Sequence, residues 1–338
     1  MSTEKKPEHE DLIHIGPEMA VAEADVHPDD AGVFVRGTSL WRDAWRRLLR
    51  NKLAVFGLVV VIVVTIASII GPTLIQRTFG FTPDYIPTGN QKLTKSMPPF
   101  KGPDNEFSWL HPMGTDNAGR DQLARVLQGG QISLFVGIIA TLVSLLIGVS
   151  YGAIAGYLGG RIDNVMMRIV DVLYSLPYVI VVIVLLSMFR SQTPRGQLTL
   201  LFIALGSVSW LTMARIVRGQ ILSLKNQEFV LAARATGVST SRIIFRHLVP
   251  NTLGPVIVYA TLTIPQIMLT EAFLSFLGFG VQAPLASWGS LAADGITNIA
   301  IFPWQLIFPG ATMALTLFSL NFLGDGLRDA LDPQMRKV

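Results

Sequence analysis

The chain contains no cysteine. Disulfides, thiol nucleophiles and Cys-based zinc sites are therefore excluded. Its five histidines (His9, His14, His27, His111, His247) form neither HExxH nor any other metal-ligand spacing. No glycine is followed by lysine, so a phosphate-cradling G-x-x-x-x-G-K-[ST] loop is absent. No cofactor is expected in this chain, and energy for uphill work would come from a partner or an ion gradient. Charge is scarce too: 15% of residues are charged, against roughly 25% in soluble domains.

What is present is apolar sequence. Half of the 338 residues are hydrophobic, mean hydropathy is +0.48, and the apolar residues gather in long runs. That pattern predicts an all-α polytopic membrane protein. Net charge is +4 and the pI about 9.4. The basic residues flank apolar runs, so membrane orientation accounts for them and no nucleic-acid partner is expected.

Residues 1–40 read as a disordered acidic tail, with nine acids before residue 31 against Lys5, Lys6 and later Arg36. No apolar core follows the charged start, so it does not read as a signal peptide. Residues 41–78 hold an amphipathic entry, "WRDAWRRLLRNK", and a first apolar span over 53–75. Arg42, Arg46, Arg47, Arg50 and Lys52 place that entry in the cytoplasm. Trp41 and Trp45, four apart, suit the interface. Residues 79–130 form a proline-rich external loop. Thr115 or Asp116 is suited to cap a short surface helix there, with Leu123, Val126 and Leu127 on one face and Gly129-Gly130 at its end.

Five more spans are expected over 132–158, 169–189, 198–213, 253–279 and 301–323, a five-helix core of residues 131–325 that makes six spans in all. Residues 326–338 then form a cytoplasmic C-terminus. The basic residues agree with this orientation. Arg161, Arg168, Arg215, Arg218, Lys225, Arg234, Arg242 and Arg246 fall inside, whereas 278–302 outside has none.

Between spans four and five, the cytoplasmic loop 215–252 contains "EFVLAARATGVSTSRIIFRHLVPN" over 228–251. Phe229, Ala232, Ala233 and Thr236 recur at i, i+3, i+4 and i+7, one narrow face of a short helix with mostly small residues. Gly237 sits where a left-handed residue ends a helix, and Ser239 can cap the next. Ile243, Ile244, His247 and Leu248 then share an apolar face. The pattern is helix, glycine turn, helix. A loop packed on its own bundle and a docking element both fit it.

This stretch resembles the cytoplasmic loop of ABC importer permeases, E-A-A-x3-G-x9-I-x-L-P. Ala232, Ala233, Gly237 and Pro250 match at the right spacings; Leu231, His247 and Val249 depart from the pattern. "AARATGVSTSRIIFRHLVPN" is closer to the peptide-importer version. "HPMGTDNAGRDQLARVLQGGQISL" (111–134), "EAFLSFLGFGVQAPLASWGSLAADG" (271–295) and "NFLGDGLRDALDPQMR" (321–336) resemble C-type permeases of dipeptide and oligopeptide importers. "WRRLLRNKLAVFGL" fits their first-span entry. The resemblance runs from about residue 41 to the end.

It implies a type I ABC importer permease fold of six transmembrane helices in the bacterial cytoplasmic membrane. It also implies a second homologous permease subunit, two ATPase subunits that hold ATP and Mg, and an external substrate-binding protein. The chain itself would be a non-catalytic transport subunit. In such importers the first short helix docks on the ATPase, which assigns coupling to Glu228, Phe229, Leu231, Ala232, Ala233, Arg234, Gly237 and Ser239.

Two acids lie within apolar runs, where a functional role is the default. Asp171 has Arg168 nearby, which suggests a local ion pair. Glu271 has no evident local partner. Three places are open to it: a hydrogen bond within the bundle, a subunit interface, or the translocation path. Gly148, Gly152 and Gly156 form a small-residue face, most simply for intrachain packing. Two other function classes compete. An ion-coupled secondary transporter would show internal repeats and broken helices, and no repeat is evident. An intramembrane hydrolase would need a catalytic pair in the spans, and none is found.

Overall fold

The computed structural model describes residues 40–86, 95–102, 104 and 106–331. The acidic tail before residue 40 and the last seven residues lie outside these. Among the described residues there is no strand, only helices and two isolated β-bridges, Lys101 with Phe107 and Thr115 with Asp121.

Helix α1 (Leu40–Arg50) turns into α2 (Lys52–Phe79) at Asn51. Asn51 is extended, and its side-chain oxygen accepts from the backbone N–H of Leu53 (3.1 Å) and Ala54 (3.2 Å), satisfying donors that a helix start leaves open. Gly80, at φ +77°, closes α2 in the left-handed conformation.

Helix α3 (Gln122–Leu158) is capped by Asp121, which accepts from Ala124 N at 2.6 Å. Neither Thr115 nor Asp116 is the cap; Asp116 instead folds its own turn, accepting from the N–H of Ala118 and Arg120. Nor does a separate surface helix end at Gly129-Gly130. One helix of 37 residues runs through both glycines. They are there for packing: a Cβ on Gly129 would lie 3.1–3.2 Å from Ser287 and Trp288, and one on Gly130 2.8 Å from the Trp288 ring. The helical hydrogen-bond ladder tolerates glycine at a cost of about 1 kcal/mol each, and the close approach of Trp288 is what the missing side chains permit.

The expected third span is two pieces, α4 (Gly160–Ser175) and α5 (Tyr178–Met188), bent by 82°. Pro177 stands at the break. It has no N–H to continue a helix and forces Leu176 out of the helical region, to ψ 136°. Helix α6 (Pro194–Leu224) starts on a Thr193 cap with Pro194 in its first turn. Its 31 residues span about 46 Å, longer than the hydrocarbon layer of roughly 30 Å.

Next come α7 (Glu228–Ala235) and a second segment, α8, made of Thr240–Arg242, the π-helical Ile243–Leu248 and Val249–Asn251. Helices α9 (Leu253–Phe276), α10 (Trp288–Ile296) and α11 (Trp304–Leu331) complete the chain. Five helices are long and apolar enough to cross a membrane, or six with the bent α4–α5 pair counted as one span.

Helix α3 is the centre, packed on α6, α9 and α2. Its glycine face meets α6: a Cβ on Gly148 would fall 2.6 Å from Met213 Cβ, and one on Gly156 2.9 Å from the Arg218 carbonyl. The small-residue face thus serves packing within the chain, where backbones approach closely without a hydrophobic drive between helices.

Candidate functional site

Helix α7 is short, and two contacts fix it. Val230 is fully buried and Ala233 8% exposed. Three residues apart, they face Met213, Val217 and Ile221 of α6 and Ile243, Ile244 and Leu248 of α8. On the far side Phe229 and Leu231 are 41% and 49% exposed, and Glu228, Ala232, Arg234, Gly237 and Ser239 are exposed as well. The sequence places Ala233 on an outward face with Phe229 and Ala232. In the structure it turns inward, because Val230, the β-branched residue in the segment, takes the buried position and carries i+3 with it. Val230 was not singled out, although an apolar β-branched residue one turn ahead of Ala233 is the signal for it.

The end of α7 is a Schellman closure. Val238 N–H donates to the Ala233 carbonyl at 3.1 Å, and Gly237 N–H to the Arg234 carbonyl at 3.0 Å. Gly237 has φ +74°, as expected of the turn, and nothing lies within 4 Å of a Cβ added there. Its requirement is conformational, not steric. Ser239 occupies the next start position, but its side chain makes no capping hydrogen bond. In α8 Pro250 has no N–H to offer the carbonyl four residues back. The turn there widens, with Val249 N–H reaching Ile244 O and Ile243, Ile244 and Leu248 all facing inward.

Polar links tie α7 and the end of α6 to the end of α3. The Arg234 guanidinium stacks over the Tyr157 ring, 5.0 Å from its centroid, and Nε donates to the Tyr157 hydroxyl at 3.2 Å. Lys225 Nζ donates to the Gly156 carbonyl at 3.1 Å. Nearby, Arg218 of α6 grips Asp163 of α4 with two bonds, 2.6 and 2.7 Å. Asp171 pairs with Arg215 of α6 at 2.7 Å, not with Arg168 on its own helix; Arg215 also lies over Tyr174. The expected local pair is thus a bridge between helices. Contacts at this end thus link α7 to α3 and α6, and α6 in turn to α4.

Where α4 breaks from α5, a cleft of about 460 Å³ opens against α6 and α9. Ser175, Tyr178, Ser209, Thr212, Tyr259 and Gln266 line it, among apolar residues and with no charged side chain. Sequence reasoning missed it. The signals were Pro177 inside an expected span and hydroxyl and amide groups recurring within apolar helices.

Glu271 lies at the opposite end of α9 from α8 and is 1% exposed. Its Oε1 accepts from Ser275 Oγ (2.7 Å) and Ser287 Oγ (2.6 Å). Ser287 caps α10 in a reciprocal capping box with Ser290. Trp288, fully buried, donates from Nε1 to the Val126 carbonyl at 2.8 Å and from its backbone N–H to Ser133 Oγ at 3.1 Å. Glu271 therefore does have local partners, separated from it by a turn of helix and by a loop. Its side chain is enclosed among this chain's own residues, which fits the first of its three open places, a hydrogen bond within the bundle.

On the same side, Asp116 receives Arg120 Nε at 2.7 Å and is bonded to Arg125. Burial alone would raise the Asp116 carboxyl, but the charges of Arg125 and Arg120 and their hydrogen bonds bring it below its ordinary value. His111 Nδ1 and Asp121 Oδ2 are 2.8 Å apart. These contacts pin the loop before α3 to the start of that helix.

Among the described residues, no group of acids and histidines could hold a metal ion. Residues 148–337 match the family model for the binding-protein-dependent transport system inner membrane component. Residues 39–99 match the N-terminal TM domain of oligopeptide transport permease C. The oligopeptide transport system permease protein OppC of Escherichia coli (strain K12) is 48% identical over 302 residues, covering 89% of this chain and 94% of that one. OppC of Bacillus subtilis (strain 168) is 44% identical over 309 residues, 91% and 94% of the two chains. The dipeptide transport system permease protein DppC of B. subtilis is 46% identical over 301 residues, 88% and 87%. A chain of the MetNI methionine ABC transporter in an inward-facing conformation aligns with a TM-score of 0.48 at 16% identity, covering 61% of this chain and 96% of that one. With a family model matched over more than half its length and relatives at 44–48% identity over nearly all of it, this chain belongs to the binding-protein-dependent transport system inner membrane components.

Proposed function

We propose that this chain is the membrane permease subunit of an ATP-driven importer of di- or oligopeptides, with the type I importer permease fold. It works with a homologous permease subunit, two ATPase subunits that bind ATP and Mg, and an external substrate-binding protein. It resides in the bacterial cytoplasmic membrane with both termini in the cytoplasm. The chain is a transport subunit and performs no hydrolysis. The basic residues of 215–252 support that orientation.

The observation that carries the mechanism is α7. Its inner face is welded to the bundle through Val230, Ala233 and Arg234–Tyr157, while Phe229, Leu231 and Ala232 remain outward. An ATPase surface seated on that outer face would transmit its closure to α3 and α6. ATP binding then acts by favouring one arrangement of this joint. The cleft at the α4–α5 break supplies this chain's half of the translocation path. Its uncharged hydroxyl and amide lining suits peptide backbones whatever their side-chain charge.

The test is transport in vesicles. The full assembly should take up peptide only when ATP is hydrolysed, and Ala232→Arg should abolish uptake and ATPase copurification with the permease still in the membrane. Uptake driven by a proton gradient with the ATPase removed would instead favour an ion-coupled transporter.

A further inference from the structure

Helix α1 has three distinct faces. Ala44 and Leu48 are buried against Ala54 of α2 and Leu323, Leu327, Ala330 and Leu331 of α11. Gly326 permits the contact: a Cβ there would fall 3.2 Å from Leu48 Cδ1. Opposite that packed face stand Arg42, Arg46 and Arg50, at i, i+4 and i+8, all exposed. On the flank between, Trp45 and Leu49 are 54% and 49% exposed, again four residues apart. The segment 40–52 carries five basic residues against one acid, Asp43.

Helix α1 cannot drift from the membrane. Asn51 joins it directly to α2, whose apolar window begins beside it, and α11 holds its inner face. An apolar flank of tryptophan and leucine beside a row of arginines is the arrangement of a helix lying in the interface plane. The apolar flank enters the acyl boundary and the guanidinium groups stay at the level of the headgroup phosphates. Arginine offers a planar, two-pronged donor set that fits a phosphate better than a point charge does.

We propose that α1 is a binding surface for anionic phospholipid headgroups of the cytoplasmic leaflet, with Arg42, Arg46 and Arg50 gripping phosphate and Trp45 and Leu49 seated among the acyl chains. The leaflet assignment rests on the orientation proposed above; the lipid preference does not. Because α1 packs on the last turns of α11, lipid bound there also steadies the cytoplasmic end of that helix.

The test is native mass spectrometry of the delipidated full-length chain, titrated with phosphatidylglycerol or phosphatidylcholine of matched acyl chains. The parent should retain phosphatidylglycerol preferentially. Arg42→Gln, Arg46→Gln and Arg50→Gln together should cut that preference by on the order of tenfold or more, since each basic residue near an anionic surface contributes about fivefold. Trp45→Ser with Leu49→Ser should weaken both lipids alike. None of these changes touches the buried Ala44–Leu48 face, so folding is preserved, and an unchanged thermal transition checks that. Equal retention of the two lipids by the parent, or an unaltered preference in the triple variant, would overturn the proposal. So would a preference that emerges only when residues 2–38 are removed, since the acidic tail would then be the occupant. Impermeant thiol labelling of Arg246→Cys in intact cells reads the orientation separately, so the two failures are distinguishable.

Discussion

At the scale of single residues, Gly237 closes α7 in the left-handed conformation, a local requirement set by φ alone. At φ +74° with open space around it, Gly237→Ala should cost about 1 kcal/mol and Gly237→Val 1–3 kcal/mol. The expected outcome is a permease still inserted in the membrane with weakened transport, more so for valine, read from vesicle uptake normalised to permease content. Glu271 was not legible, because its second partner, Ser287, lies sixteen residues on, across a loop. Glu271→Ala would leave the Ser275 and Ser287 hydroxyls without their acceptor, each unsatisfied group costing about 1–3 kcal/mol. A lower thermal transition in the purified protein is expected, with Glu271→Gln milder and transport per assembled complex unchanged. Ala233 teaches a related lesson. Its side chain is inward, so Ala233→Arg would force a charge into the α6–α8 contact and probe folding; Ala232 is the position that probes docking.

At the scale of elements, the spans were legible from runs of apolar residues, and the breaks were not. Periodicity could not tell a helix stop at Gly129-Gly130 from a helix continuing with Trp288 against it, because Trp288 lies far along the chain, in α10. The third span's apolar run concealed an 82° bend, although Pro177 marked its place. The loop before α3 shows how an element is pinned by charge. Asp116 joins the loop to α3 through Arg125, which is 3% exposed. Asp116→Asn should destabilise by about 3–5 kcal/mol, because it leaves the arginine buried without its partner. Asp116→Asn combined with Arg125→Met should recover most of that. Thermal denaturation of the two variants checks both statements. The sign of the pH dependence follows from the depressed Asp116 carboxyl. Its contribution is fully present above the ordinary value of 3.8 and is lost as pH falls below it. The loop should therefore hold through mild acid and loosen only in strong acid.

At the scale of the whole molecule, the described residues form a helical bundle with α7 as a handle at one end. Helix α3 is the spine, α6 is longer than the hydrocarbon layer is thick, and α7 follows the end of α6, tied back to α3 by Arg234 and Tyr157. Sequence made the handle legible as helix, turn, helix. It did not reveal which face was outward, since that depends on how α6 and α8 meet Val230. The central claim is that α7 meets the ATPase with Phe229, Leu231 and Ala232 and holds the bundle with Val230 and Ala233. The chain has no cysteine, so a single introduced thiol reports one position without background. Site-directed crosslinking in the assembled transporter, comparing Ala232→Cys with Val230→Cys, is the direct measurement. The account predicts a crosslink from position 232 to the ATPase that changes in yield when ATP binds, and none from position 230. Crosslinking from 230 and not from 232, or from neither in a complex that still transports, would contradict it.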